Sequence, residues 1–165
     1  MRNKKTRYLT HAALIAAIYV VLTYLANLFG LANGAIQVRL SEALTVLPVF
    51  IPAAIPGLFI GCITANLLTG CAPWDVVFGS LATLLGAVGT FYLSKICKGR
   101  LTFITTLPPI IANTVIVPFV IRYVYAAEDA LPFLFLTVGL GEVISCGVLG
   151  FFLIKLLAKY KDQIF

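Results

Sequence analysis

Long apolar segments constrain this chain more than any other feature of its sequence. Of the 165 residues, 61% are hydrophobic and 11% are charged, whereas a soluble domain usually has about 45–50% apolar and about 25% charged residues. A soluble fold of this size could not bury so much apolar surface, so lipid must surround it. Backbone groups in lipid are paired within helices or a closed barrel. The segments lack the alternation of barrel strands, which favours helices.

The distribution of apolar segments predicts the positions of the helices. Each clear span has the ~20 residues that cross a bilayer core. Residues 43–72 are apolar almost throughout but contain Pro48, Pro52 and Pro56, so they form either one kinked helix or two short ones. With two, the single transmembrane domain (1–165) has spans at 8–29, 41–52, 57–70, 74–96, 101–124 and 132–157.

Basic residues decide between one and two helices in that region. They form three clusters: Arg2, Lys4, Lys5 and Arg7; Lys95, Lys98 and Arg100; Lys155, Lys159 and Lys161. Two helices place all three clusters in the cytoplasm, as the positive-inside rule requires, whereas one helix would put the middle cluster outside. We therefore predict an all-α protein of the cell membrane with six transmembrane helices and both termini inside. This topology also explains the net charge of +6 without nucleic-acid binding.

Motif and cysteine patterns argue against several classes of function. The four cysteines lack C-x-x-C spacing, so neither a disulfide framework nor a metal site is predicted. P-loop, zinc-protease and serine-hydrolase motifs are missing from the sequence. We predict no cofactor and no enzymatic activity. Two alternatives remain: an intramembrane enzyme with Glu142 and Asp75 as an acid–base pair, and a structural subunit without a ligand.

Glu142 is the most prominent candidate for ligand binding, because an ionisable group inside a membrane span is costly without a function. It lies roughly 15 Å from the outer end of the last span at 1.5 Å per residue. The neighbouring Gly139 and Gly141 leave room for a flat molecule or another backbone. We predict a carboxylate that faces an outward-open cavity. The alternative is an ion pair with Arg39 or Arg122.

Arg39 and Glu42 lie where the first outer loop enters the second span. They could contact a ligand or pair with each other one helical turn apart. Alternatively, Ser41 caps the helix and Glu42 favours its positive end. The amides of Asn66 and Asn113 similarly either contact ligand or form hydrogen bonds between helices.

Trp74 and Asp75 lie at the outer mouth of the fourth span. Trp74 either stacks on a ligand or anchors the chain at the membrane interface. Asp75 either caps the helix or meets a cationic group.

Small residues in the first span form two overlapping A-x-x-x-A pairs, Ala12 with Ala16 and Ala13 with Ala17. Small residues at this spacing allow close approach of helices in lipid. The pairs either pack within the chain or dock another membrane subunit.

Three segments and Asn66 closely resemble the QueT family. The segments are 36–48 (IQVRLSEALTVLP), 52–62 (PAAIPGLFIGC) and 75–85 (DVVFGSLATLL). QueT proteins are substrate-binding S components of energy-coupling factor (ECF) transporters, assigned to queuosine precursors. The resemblance extends over nearly the whole chain.

The resemblance implies a six-helix protein that binds a vitamin-like substrate from outside with high affinity. It also implies association with a transmembrane T subunit and two ABC-type ATPases, through the A-x-x-x-A surface of the first helix. ATP hydrolysis would then topple the S component and release substrate inside. The alternative is an S component or facilitator for another flat, vitamin-like substrate.

The substrate class implied by the resemblance suggests specific roles. A deazaguanine base presents adjacent N–H donors that one carboxylate can accept together, a role that we assign to Glu142. Glu42 or Asp75 could receive a cationic aminomethyl group. Trp74 or a tyrosine could stack on the flat ring.

Overall fold

Helices form the whole of the architecture in the described part of the chain. The computed structural model describes residues 4–31, 36–97 and 103–160, and it contains no strand in these ranges. The helices are α1 (Lys4–Leu28), a 3-10 helix (Leu40–Val49), α2 (Ala54–Leu68), α3 (Pro73–Ile96), α4 (Leu107–Tyr123) with a preceding 3-10 turn (Phe103–Thr106), α5 (Leu131–Glu142), a π-helical segment (Val143–Leu149) and α6 (Gly150–Lys159). The all-α prediction is confirmed. Several members of the predicted basic clusters lie outside the described residues: Arg2, Lys98, Arg100 and Lys161.

Four helices are long and apolar enough to cross a membrane: Lys4–Leu28, Pro73–Ile96, Phe103–Tyr123 and Leu131–Lys159. The last of these is continuous through α5, the π-helical segment and α6. The other two predicted spans are the 3-10 helix of 10 residues and α2 of 15 residues. At their respective rises of about 2.0 and 1.5 Å per residue, each reaches only about 20 Å of a core that is about 30 Å thick.

The 3-10 helix lies inside the bundle, with residues 41–48 all buried. It packs against α1, α3, α6 and the π-helical segment. A 3-10 helix of this length is uncommon because its hydrogen bonds are poorly aligned, so the surrounding side chains must sustain it. Hydropathy alone does not distinguish this segment from one that faces lipid, because most of its residues are apolar.

Glycines set the contact between α1 and α2. A Cβ atom on Gly57 would lie 2.7 Å from the Ala12 carbonyl oxygen, and one on Gly61 would lie 3.0 Å from Ala16 Cα. Ala12 and Ala16 therefore take part in close packing within the chain, one of the two predicted uses. Ala13 and Ala17, one residue further along each turn, are exposed.

Candidate ligand-binding site

A cavity of about 400 Å³ lies at the end of the bundle where α1, α2 and α4 finish and α3 begins. This volume is within the usual range for small-molecule sites. Its polar lining comes from α1, the 3-10 helix, α2 and α3 and from residues that lie directly beside the helices: Tyr19, Thr23, Asn27, Gln37, Arg39, Ser41, Asn66, Thr69, Asp75 and Tyr125. Such a polar hollow in an otherwise apolar bundle can hold a ligand with several hydrogen-bonding groups.

Asp75 supplies the acidic group of the cavity. It lies in the first turn of α3, where the helix dipole favours a carboxylate, although no side-chain hydrogen bond caps that helix. Tyr125 donates its hydroxyl hydrogen to Asp75 Oδ2 at 2.7 Å and accepts a hydrogen bond from the backbone amide of Ala72 at 3.1 Å. Burial and the hydrogen bond to Asp75 raise the pKa of Tyr125, so the phenol remains a donor at neutral pH. Tyr125 thus orients one carboxylate oxygen of Asp75.

Arg39 supplies the basic group. Burial lowers the pKa of its guanidinium, but the neighbouring acidic groups, Asp75 first among them, raise it above its ordinary value. Arg39 therefore remains positively charged. In the described residues, the predicted ion pair with Glu42 is not formed, and Ser41 does not cap the 3-10 helix; the Ser41 hydroxyl instead accepts a hydrogen bond from Thr23 at 2.8 Å.

The segment that carries Arg39 is attached to the last long helix. The Arg39 backbone amide donates a hydrogen bond to Ser145 Oγ at 3.0 Å. Gly141 faces the backbone of Gln37, and a Cβ atom at Gly141 would overlap the Gln37 carbonyl oxygen. The sequence predicted that the glycines beside Glu142 leave room for a flat molecule or for another backbone. At Gly141 the structure shows another backbone. Both Gln37 and Arg39 line the cavity.

A second polar group lies beneath the cavity, centred on the fully buried Glu42. Its carboxylate accepts hydrogen bonds from the Tyr19 hydroxyl, from Thr83 Oγ1 at 3.1 Å and from Asn113 Nδ2 at 3.4 Å. Tyr19 also lines the cavity, so it separates the ligand space from this carboxylate. Glu42 and Asn113 do not themselves line the cavity.

Glu142 belongs to the buried group as well, which corrects the predicted placement of this residue against the ligand space. Its side chain is 4% exposed, and the Cys146 thiol donates a hydrogen bond to Glu142 Oε2 at 3.2 Å. The predicted partner Arg122 instead hydrogen-bonds to the carbonyl oxygen of Ala127. Gly141 faces Gln37, and the next residue, Glu142, faces the buried polar group instead.

One ligand atom from each of Glu42, Glu142 and Cys146 lies within 4.8 Å of the others. This spacing would allow a single cation to reach all three. Hydrogen bonds already engage each group, however, since the Glu42 carboxylate has three donors and the Cys146 thiol donates to Glu142.

The predicted site residues thus fall into three sets. Arg39, Asn66 and Asp75 line the cavity, whereas Glu42, Asn113 and Glu142 are buried beside or below it. Trp74 neither lines the cavity nor belongs to the buried group. Its side chain is 62% exposed, and its ring stacks on Phe78 with 6.1 Å between ring centroids. This position suits an anchor at the membrane interface.

Several residues that line the cavity or contact Glu42 were not predicted, above all Gln37, Thr83 and Tyr125. A glutamine in a loop, a threonine in an apolar helix and a tyrosine near a span end are common in membrane proteins. The sequence carries no signal that separates these three from similar residues elsewhere. Tyr19 was missed for the same reason, although a tyrosine within an apolar span usually needs a hydrogen-bond partner.

Comparison with known proteins gives two matches. A model of the QueT transporter family matches residues 9–159. A curated relative from Lactococcus lactis subsp. cremoris (strain MG1363), named "Queuosine precursor transporter QueT", is 37% identical over 86 residues, which are 52% of this chain and 50% of the relative. The chain therefore aligns with about half the length of that relative. No solved structure matches the chain.

Proposed function

Because the chain belongs to the QueT transporter family, we propose that it is the high-affinity substrate-binding membrane subunit of an ECF-type importer and that its substrate is a queuosine precursor with a deazaguanine base. The family is one of transporters, and the name of the relative supports the substrate class. The observation that carries the proposal is the cavity of about 400 Å³ with Asp75 and Arg39 in its lining.

The cavity offers chemistry that complements a deazaguanine. The adjacent N–H donors of the ring can be accepted by one carboxylate, and Asp75 is the carboxylate on this cavity. Arg39 can donate to the ring carbonyl oxygen at the same edge. The role first assigned to Glu142 thus passes to Asp75, because Glu142 is buried away from the ligand space.

We also propose that the chain crosses the cell membrane six times with both termini in the cytoplasm, and that the two short crossings are made by the 3-10 helix and α2 together with the residues that connect them. Asp75 lies in the first turn of α3 and Lys95 in its last turn, which separates them by about 30 Å along the helix. Lys159 similarly ends the last helix. The cavity and Lys95 therefore lie at opposite ends of α3. The positive-inside rule then makes the cavity open to the outside.

The T subunit and two ATPases are the proposed partners, with α1 as the docking helix. Only 22% of the most apolar stretch of α1 is buried, compared with 39–44% for the other three long helices. α1 therefore presents the largest fraction of its surface outward. Since α2 covers Ala12 and Ala16, the docking surface is the side that carries Ala13 and Ala17.

Ligand binding to the purified full chain tests the substrate proposal. We expect a deazaguanine precursor to be retained in mild detergent, detected by mass spectrometry, and to rebind to stripped protein. Asp75→Asn should weaken binding at least tenfold, because a hydrogen bond to a charged group contributes about 1.5–3 kcal/mol. Asp129→Asn, an exposed carboxylate outside the cavity, is the matched control. Retention of a different flat vitamin, with no binding of deazaguanines, would disprove the substrate class.

A further inference from the structure

Two carboxylates lie side by side in the interior of the bundle. Glu42 is fully buried and Glu142 is 4% exposed, and one oxygen of each lies within 4.8 Å of the other. Two ionised carboxylates at this distance in a medium of low dielectric constant repel each other strongly, so one of the pair normally keeps a proton. The hydrogen bonds around the pair identify which one.

Glu42 has the environment of an ionised carboxylate. Three donors point at its two oxygens, from Tyr19 on α1, Thr83 on α3 and Asn113 on α4. Hydrogen bonds of this kind stabilise the charged form. These donors occupy three of the about four acceptor positions of the carboxylate.

Asn113 provides an independent observation. Its side chain is 1% exposed, and its Nδ2 group donates to Glu42 Oε2. This bond fixes the orientation of the amide, because the reversed amide would place its oxygen against the Glu42 oxygens. The Asn113 Oδ1 atom is left buried with no hydrogen-bond partner in the described residues. A buried acceptor without a donor is costly, and the Glu142 carboxyl lies beside this amide.

We propose that Glu142 is a proton-binding site, a neutral carboxylic acid in the membrane interior that supplies the missing O–H donor to Asn113 Oδ1. The same proton removes the repulsion between Glu142 and Glu42. The other oxygen of Glu142 remains free to accept the hydrogen bond from Cys146. All three groups are then satisfied with a single negative charge, which resides on Glu42.

The remaining charged neighbour of Glu142 is Arg39, from the segment before the 3-10 helix. The other titratable groups that face this region are Tyr19 on α1, Cys62 on α2, Asp75 on α3 and Cys146 on the same helix as Glu142. An ionised Glu142 would attract the Arg39 guanidinium away from Asp75. A neutral Glu142 leaves Arg39 available to the cavity.

Infrared spectroscopy of the full-length protein at neutral pH tests the proposal. A neutral carboxylic acid has a carbonyl stretching band that is separate from the carboxylate bands. We expect Glu142→Gln to remove one such band from the wild-type spectrum. Glu128→Gln, which changes an exposed loop residue, should remove only carboxylate absorption. If the Glu142→Gln spectrum lost carboxylate absorption and no acid band, the proposal would be wrong.

Thermal unfolding gives a second, independent test. Glutamine resembles a neutral glutamic acid in shape and can donate to Asn113 Oδ1, so Glu142→Gln should unfold at the wild-type temperature. Glu42→Gln should unfold at a lower temperature, because an amide presents hydrogens to the donors that face it. Failure of Glu142→Gln to fold, or the reverse order of the two variants, would overturn the assignment. So would one tightly bound metal ion per chain in elemental analysis of purified protein, since that ion would replace the proton.

Discussion

At the scale of single residues, the depth at which a carboxylate is buried decides its role. Asp75, Glu42 and Glu142 all lie on apolar helices, and the sequence makes each a candidate for contact with ligand. Asp75 reaches the cavity, whereas Glu42 is covered by Tyr19 and Glu142 is turned toward Asn113 and Cys146. The cost of a buried charge predicts that each has a partner, but it does not say whether the partner is protein or ligand.

Tyr19 provides a prediction at this scale. Tyr19→Phe removes one donor from the buried Glu42 carboxylate and leaves the ring in place. We expect the free energy of unfolding in detergent to fall by about 1.5–3 kcal/mol, the contribution of a hydrogen bond to a charged group.

Tyr24→Phe is the control for Tyr19→Phe, because Tyr24 lies on the same helix with its side chain 61% exposed. Its stability should remain that of the wild type. An equal loss in both variants would show that the hydroxyl of Tyr19 does not support Glu42.

At the scale of helices, hydropathy predicts where each helix lies along the chain but not what it packs against. The predicted segment 74–96 coincides with α3, and 132–157 lies within the last long helix, because about 20 apolar residues in a row are long enough to identify a helix. The 3-10 form of Leu40–Val49 was not predicted, since it depends on the helices that enclose it. The rotation of the last helix was not predicted either, because the contact of Gly141 with Gln37 joins residues far apart in sequence.

Gly141 and Gly139 provide a matched pair for a prediction about this contact. A methyl group at Gly141 would overlap the backbone of Gln37, whereas one at Gly139 would lie 3.3 Å from the side chain of Thr114. Gly141→Ala should therefore displace the segment that carries Arg39. We expect at least about a fivefold loss of affinity for the retained ligand, measured by calorimetry, since overpacking typically costs about 1–3 kcal/mol.

Gly139→Ala should change that affinity by less than about threefold, which corresponds to under 1 kcal/mol. Similar losses in both variants would mean that the backbone contact at Gly141 does not position the cavity. The two glycines differ by only two positions on one helix, so general effects on helix stability are shared.

At the scale of the whole molecule, the arrangement is a set of helices with a polar cavity at one end and lysines at the other. This asymmetry is also present in the sequence as the distribution of charge, on which the predicted topology rests; the orientation in the membrane stays a prediction. The cavity itself could not be predicted, because its lining combines residues from α1, α2, α3, α4 and the first interhelical segment.

The native cysteines allow a test of the topology. Cys71 lines the cavity and Cys97 follows the far end of α3, and both are partly exposed, whereas Cys62 and Cys146 are buried. A membrane-impermeant maleimide added to intact cells should label Cys71 and not Cys97. Bound substrate should protect Cys71 from the reagent.

Cys71→Ser and Cys97→Ser variants assign the label to each position. Permeabilising the cells should allow the maleimide to label Cys97 in the Cys71→Ser variant. Labelling of Cys97 in intact cells, or of both cysteines from the same side, would contradict the proposed crossing of α3.

The proposed docking surface on α1 gives a further prediction. The double substitution Ala13→Leu and Ala17→Leu should prevent close approach of a neighbouring helix, because close helix packing in lipid requires small side chains at the contact. We expect the double variant to bind ligand normally but to lose most of the T subunit and ATPases on copurification. Leucine at Thr64, an exposed position on α2, is the control, and equal loss of partners in the control would place the docking surface elsewhere.

The contacts of Gln37 and Arg39 with the last helix have a mechanical consequence. Gln37 and Arg39 line one side of the cavity. The backbone of Gln37 contacts Gly141, and the Arg39 amide is hydrogen-bonded to Ser145. Moving these two residues alone would break the hydrogen bond to Ser145 and expose the helix backbone at Gly141, which has no side chain. We therefore expect residues 36–39 and the last long helix to move together.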